Sequence, residues 1–290
     1  MIKLSRGFQE LCEEYDVFYD PFIVTNGYLL NRERAKRLAD VGIKSVIITI
    51  DGQKDFHDKY RILKDGSGTY DQLIENIHQI QDTIHVQIRT NISKDSVPSV
   101  KGMIREFAQR GLKVSFDFQM VEVIPEAPHS FDDNTLTLKE FAKLEVELYK
   151  EVLEYFPDYP FNPFKKMRFA RCDALCQNSF VVEPDGRLFK CWGEVGSSDK
   201  NVGWVKDGKI ELNYRLERWT SWSPFEKCKN CEIFPLCMGG CVFNAVVVDK
   251  LHASPVKKPQ STCIPLRYNL KDMIKLVVKN ETKKKEREKV

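Results

Sequence analysis

His85-Val86-Gln87-Ile88-Arg89-Thr90-Asn91-Ile92 reads as a β-strand with two unlike faces. Successive side chains of a strand point to opposite sides, so Val86, Ile88 and Ile92 share one face and Gln87, Arg89 and Asn91 the other. The same pattern recurs on either side. Strands are expected at residues 21–26, 45–51 and 112–119 as well. In the second of these, Val46, Ile48 and Ile50 oppose Ser45, Thr49 and Asp51; in the third, Leu112, Val114, Phe116 and Phe118 oppose Lys113, Ser115, Asp117 and Gln119. Between the strands lie helical stretches at 32–41, closed by Gly42, at 70–81, and at 97–110, closed by Gly111. Strands alternating with helices from about residue 20 to 120 predict βα units around a parallel sheet, and so an α/β fold. Ordinary parallel sheets are apolar on both faces. Here one face is polar, so it should line a wet or ligand-filled interior while the helices cover the other. The competing arrangement is an antiparallel sheet with one solvated face, but helices rather than hairpin turns separate these strands.

Beyond residue 122 comes a proline-containing link, Ile124-Pro125-Glu126-Ala127-Pro128. Thr137 with Glu140 three positions on then forms a capping box that starts a helix, with Leu138, Phe141, Leu144, Leu148 and Val152 at helical spacing. A second proline-rich stretch, residues 157–163, precedes a cysteine-rich region. The expected organisation is an α/β region over residues 1–160, a small cysteine-rich α+β domain over 168–265, and a C-terminal helix or tail over 266–290. Internal repeats are absent from the sequence.

Composition narrows the function classes. Forty-five basic and 42 acidic side chains leave a formal charge of +3, which gives no reason to expect nucleic acid. The basic run 283–289 is interleaved with Glu286 and Glu288 and suits a solvated helix end. No stretch approaches the roughly 18 apolar residues a membrane span needs, and the start, Met1-Ile2-Lys3-Leu4-Ser5-Arg6, lacks the apolar segment of a secretory signal. A reducing cytoplasm is the expected location.

Eight of the nine cysteines form one ordered series: Cys172, then Cys176-x9-Gly186-x4-Cys191, then Cys228-x2-Cys231-x5-Cys237-x3-Cys241, and Cys263. Two sets of four thiolates are what cuboidal iron–sulfur clusters or tetrahedral zinc require. Disulfides belong mainly to short secreted domains. The stretch Glu183-Pro184-Asp185-Gly186 reads as a tight turn joining two short strands, which would aim Cys176 and Cys191 at a common centre. Cys12 stands apart in a helix-like stretch and is expected to be a small buried hydrophobe.

This cysteine spacing resembles the SPASM domain of radical SAM enzymes throughout. Upstream, Phe22-Ile23-Val24-Thr25-Asn26-Gly27-Tyr28, Ile48-Thr49-Ile50-Asp51-Gly52, His57-Asp58-Lys59-Tyr60-Arg61 and Gly66-Ser67-Gly68-Thr69-Tyr70 are similar to landmarks of the radical SAM partial barrel in its peptide- and protein-modifying branch. The resemblance spans about residues 20 to 265. It implies two auxiliary 4Fe-4S clusters with interleaved ligands, the first on Cys172, Cys176, Cys191 and Cys241 and the second on Cys228, Cys231, Cys237 and Cys263. Members differ in whether a residue such as Cys172 serves as a ligand. The resemblance further implies S-adenosylmethionine across the strand ends near Thr25, Thr49, Asp51, Arg89 and Asn91, and a peptide or protein substrate.

Two departures qualify it. The Cys-x3-Cys-x2-Cys motif, whose third cluster reduces S-adenosylmethionine in complete enzymes, is absent, as is the Gly-Gly-Glu-Pro stretch of the second barrel strand. The chain is therefore expected to begin inside the barrel, as a fragment, a truncated gene product or one part of a split enzyme whose partner polypeptide supplies the missing strands. An exposed edge at residues 21–26, with Phe22 and Val24, follows from that expectation. Secondly, sulfatase-maturing members carry an acid just after the cysteine matching Cys191, and here Trp192 cannot accept a proton. This favours the ribosomal-peptide-modifying members. A non-catalytic electron-transfer or substrate-binding module is the alternative function.

Overall fold

The computed structural model describes residues 1–121, 134–164, 172–224, 226–251 and 262–287. The chain divides into two compact units, Met1–Phe161 with Val278–Val290, and Asn162–Val277.

In the first unit, helix α1 (Ile2–Glu14) precedes β1 (Phe22–Thr25), α2 (Arg32–Ala39), β2 (Ser45–Thr49), α3 (Lys54–Tyr60), α4 (Tyr70–Ile80), β3 (His85–Ile92), α5 (Val97–Gln109), β4 (Val114–Met120) and α6 (Leu138–Tyr155). The strands pair in the order β1-β2-β3-β4, all parallel. The expected strands and helices are therefore present, within two residues at each end. The link 124–128 lies outside the described residues.

The two-faced reading explains the packing. Val46, Ile48, Ile50, Val86, Ile88 and Ile92 are fully buried, and they meet Ile77 and Ile80 of α4 and Met103, Ile104 and Phe107 of α5 in one core. Each such side chain removed from water stabilises the fold by about 1.5–3 kcal/mol. On β4, Phe116 stacks on Phe118 at 5.9 Å and meets Phe156 edge-on at 5.4 Å. The capping box of α6 forms as expected, with Thr137 Oγ1 accepting from Glu140 N at 3.2 Å and Thr137 N donating to Glu140 at 2.8 Å. Tyr159, in the proline-rich stretch, accepts a hydrogen bond from Phe116 N at 2.9 Å, so that segment is packed rather than a free linker up to Phe161.

Strand β1 is an edge of this sheet, and its Phe22 and Val24 are 60% and 57% exposed. On α1 the apolar Leu4, Phe8 and Leu11 are exposed too, and Ser5 is the buried residue. Cys12, expected to be buried, is only half-buried there, because α1 turns little of its surface inward.

The second unit is irregular. Its strands β5 (Val181–Val182), β6 (Arg187–Phe189), β7 (Gly203–Lys206) and β8 (Lys209–Leu212) form an antiparallel sheet in sequential order. The expected hairpin at Gly186 is present and continues into two further strands. Short helices α7 (Glu217–Thr220), α8 (Phe234–Cys237) and α9 (Val242–Leu251) follow. The final helix α10 (Leu266–Arg287) belongs to this unit as far as Val277. The core is small: Ala174, Leu188, Val202, Trp219 and Val242.

Candidate functional site

A polar cluster occupies the ends of β2, β3 and β4, on the face turned away from the helices. Asp51, just past β2, accepts from Arg61 Nε at 2.6 Å and from both the backbone and side-chain nitrogens of Asn91 at 3.0 Å. Register sets Thr49 beside Arg89 and Arg89 beside Asp117, and Arg89 Nε donates to Asp117 at 2.8 Å. Gln119 donates to the other Asp117 oxygen at 2.6 Å. Thr49, Arg89 and Asn91 are half-buried and Asp51 is buried. Two carboxylates and two guanidiniums thus alternate along one face, so a ligand carrying both a carboxylate and an ammonium group could be bound by charge-assisted bonds. The carboxyl ends of parallel strands are where open α/β sheets ordinarily bind ligands.

Thr25 does not join this cluster. Its register partner is Ile48, on the core side, and its hydroxyl accepts from Gly27 N at 3.1 Å in the turn after β1. The alternation of β1 explains the difference, since Phe22 and Val24 occupy the face that Thr25 was expected to share.

The stretches at 57–61 and 66–70 act as one clamp behind Arg61. His57 is fully buried; its Nδ1 accepts from Asp51 N at 3.3 Å and its Nε2 lies 3.0 Å from Thr69 Oγ1. Thr69 Oγ1 donates to the Arg61 carbonyl, so the His57 proton sits on Nε2. Burial, against the nearby Asp51, lowers the His57 pKa to about 4 and keeps the ring neutral. Asp58 accepts from the backbone of Thr69 and Tyr70 at 2.8 and 2.9 Å, capping α4. At Gly68 an added Cβ would lie 2.2 Å from the Asp58 carboxylate, which explains the small residue there.

Eight of the cysteines lie in the second unit. Cys172 and Cys191 pack against the small core. The Cys191 thiol is pushed up to about 11, first by burial and then by Cys241 and Cys172 nearby, while the Gly193 N–H, 3.4 Å from its sulfur, opposes the shift. Lys190 Nζ donates to the carbonyls of Cys176 at 2.5 Å and Ser179 at 2.7 Å; its pKa is lowered by burial, against the influence of Cys176 and Cys172. Cys172 and Cys241 thus lie within electrostatic reach of Cys191, and Cys172 and Cys176 within that of Lys190. Elsewhere in this unit Arg267 Nη1 donates to Cys263 Sγ at 3.2 Å and feels Cys231 as well. Cys231 N donates to the Cys228 carbonyl at 3.1 Å, and Cys237 is buried at the end of α8.

Two glycines permit these approaches. Gly186 has φ of 88°, as the turn requires, and a Cβ there would lie 2.7 Å from the Val205 carbonyl. Gly240, with φ of 91°, brings its neighbour Cys241 N within 3.0 Å of the Thr262 carbonyl, and a Cβ at 240 would fall 1.7 Å from that oxygen. The thiols are not joined in disulfides. Among the described residues no three His, Cys, Asp or Glu side chains converge on a single-ion site.

Arg61, His57, Asp117 and Lys190 were not singled out from sequence as site residues. Asp117 was recoverable, since it alternates onto the same face as Gln119. Lys190 carries no local signal beyond its place before Cys191.

No protein-family model matches the chain. A cysteine-type anaerobic sulfatase-maturating enzyme of Clostridium novyi is 25% identical over 271 residues, 83% of this chain and 69% of that protein. The Fe-coproporphyrin III synthase of Methanosarcina barkeri is 35% identical over 88 residues, covering 29% of this chain and 21% of the relative. Among solved structures, native anSMEcpe with bound AdoMet and Cp18Cys peptide superposes with a TM-score of 0.65 at 19% identity, over 95% of this chain and 81% of that one. Streptococcus suis SuiB bound to S-adenosylmethionine gives 0.54 at 16% identity, over 89% and 62%. These structural likenesses are of fold: mixed α/β, with a parallel sheet. Anaerobic sulfatase-maturating enzymes and SuiB are thus the relatives and neighbours of this chain, and they support its reading as a radical SAM/SPASM protein of the maturase type.

Proposed function

We propose that this chain is part of a radical SAM/SPASM maturase acting on a peptide or protein, with two auxiliary 4Fe-4S clusters in its second unit. The observation that carries the reading is a buried ammonium, Lys190, held by the Cys176 carbonyl and next in the chain to Cys191, with no carboxylate partner among the described residues. A buried cation without an anion is costly, and four thiolates on an iron–sulfur core supply that anion. The donor chemistry therefore fits. Cys228, Cys231, Cys237 and Cys263 would hold the second cluster. When bound, such clusters supply one-electron transfer, while the protein contributes ligation, orientation and exclusion of water.

In the first unit, Thr49, Asp51, Arg89 and Asn91 would receive S-adenosylmethionine. Asp51 can take up an ammonium or hydroxyl and Arg89 a carboxylate, and Arg61 holds Asp51 in place. Trp192, 78% exposed beside Cys191, offers an aromatic surface to a peptide and no base. The sheet would be the later part of a radical SAM partial barrel. The exposed edge at β1 would pair with a polypeptide that supplies further strands together with the Cys-x3-Cys-x2-Cys motif this sequence lacks.

A second reading is an electron-transfer or substrate-binding module serving a separate partner. One experiment separates the two. Reconstituted without oxygen, the chain should bind about eight iron atoms, as two four-iron clusters require. Given dithionite and S-adenosylmethionine, it should make no 5′-deoxyadenosine alone. Activity gained only on adding a polypeptide with the three-cysteine motif supports the split maturase. Iron binding with no activity under either condition leaves the module. Two tightly bound zinc ions in place of iron would overturn both.

A further inference from the structure

We propose that Lys190 is a built-in counter-cation that raises the reduction potential of the centre held by the first cysteine set; this rests on the iron–sulfur reading above. Lys190 is 4% exposed, and a buried charge without a counter-ion is costly. Its Nζ is held by two backbone carbonyls, Cys176 at 2.5 Å and Ser179 at 2.7 Å, and sits 4.7 Å from the centroid of the Phe180 ring. Those partners fix the ammonium in position but leave its charge uncompensated. Among the described residues it has no ion pair, whereas the buried Glu194 nearby in sequence is paired with Arg218. The side chain is thus directed at the turn that runs from Cys176 to Ser179, with Cys191 the next residue in the chain.

The sign of the effect follows from charge. A four-iron cluster with four thiolates is a dianion that gains one further negative charge on reduction, with no bond made or broken and no proton moved. A fixed cation inside a region of low polarisability stabilises the more negative state more strongly, and net charge, hydrogen bonds to sulfur and exposure are the terms that set such potentials. Arg267 provides an internal contrast. Its guanidinium donates directly to Cys263 Sγ at 3.2 Å, but in an exposed setting where water and salt screen it. The second centre should therefore respond less to loss of its cation than the first, and in a salt-dependent manner.

The test uses the full chain reconstituted anaerobically, with redox titration followed by electron paramagnetic resonance. In Lys190→Met, one centre should become harder to reduce by about tenfold in its equilibrium constant, which is ~59 mV for a one-electron couple. The other centre should not move, and Lys190→Arg should restore the first. Wild-type potentials at both centres of Lys190→Met, with iron content intact, would overturn the proposal. Should Lys190→Met lose the first centre, Lys190→Gln, which can still donate to a carbonyl, is titrated in its place and read the same way. Loss of half the iron in both Met and Gln variants with full occupancy in Lys190→Arg supports the proposal, because charge separates them; the same loss in all three overturns it. Failure of the wild-type chain to bind iron would be seen before any variant is made, and would remove the underlying reading and this inference with it.

Discussion

The two units treat charge in opposite ways. At the strand ends of the parallel sheet, Asp51 is matched by Arg61 and Asp117 by Arg89, and His57 is kept neutral by burial. In the cysteine-rich unit, Lys190 is buried without a carboxylate among the described residues, burial raises the pKa of the Cys191 thiol, and the fully buried Trp219 has an indole N–H with no acceptor among them. Regular structure differs in step: strands of four to eight residues with an extensive shared core against strands of two to four over a smaller cluster of buried residues among those described. The first unit is balanced by its own side chains. The second has a smaller buried cluster, and small cores of this kind ordinarily draw stability from ligation.

The largest expected effect tests that contrast directly. Removing iron with a chelator should abolish amide hydrogen-exchange protection in residues 172–251 while leaving β2, β3 and α5 protected. Equal loss in both units would show that they fold as one. Cys237→Ala should remove about half the iron, and loss of all of it would mean the two cysteine sets are coupled through folding.

Next in size are changes in the first core. Ile88→Ala, at a fully buried position, should cost about 2–5 kcal/mol, and by the same amount with or without iron. An iron-dependent cost measured by denaturant titration would break the proposed independence.

A pH effect of similar order belongs to His57. Its folded pKa, about 4, lies below the unfolded value of 6.5, so the unfolded chain binds the proton more readily between these values. The neutral ring's contribution is full above pH 6.5 and declines as pH falls towards 4, by about 3 kcal/mol in the limit. His57→Asn should flatten that part of the stability profile; an unchanged slope would mean the ring is hydrated or charged in the folded state.

The smallest expected effect is at the capping box. Thr137→Ala removes an acceptor for Glu140 N and should cost about 1 kcal/mol, with no change in iron content. A change in iron content would tie α6 to the cysteine-rich unit.

Much of the first unit was legible because its code is local. Two-residue alternation in 85–92 sorts side chains between faces without reference to distant residues, and Gly42, Gly111 and Thr137 mark helix ends by backbone chemistry alone. Thr49, Asp51, Arg89 and Asn91 share a face for that reason. Thr25 ends β1 on the face it shares with Ile48, a register that the alternation of β1 by itself does not reveal. The pairing of Arg61 with Asp51 was not legible either, since it depends on the clamp that His57, Asp58 and Thr69 build across separate loops.

In the second unit the sequence by itself determined the donor set: eight thiols at fixed spacing, and a turn at Gly186. Tertiary structure alone decided the rest. Which cysteines become neighbours depends on approaches such as Gly240 to Thr262, made between residues more than twenty positions apart, and on a core too small to impose a periodic signal. The same holds for Lys190. A lysine in a sequence reads as a solvated surface charge, and only its capture by the Cys176 and Ser179 carbonyls of a folded turn makes it a buried one.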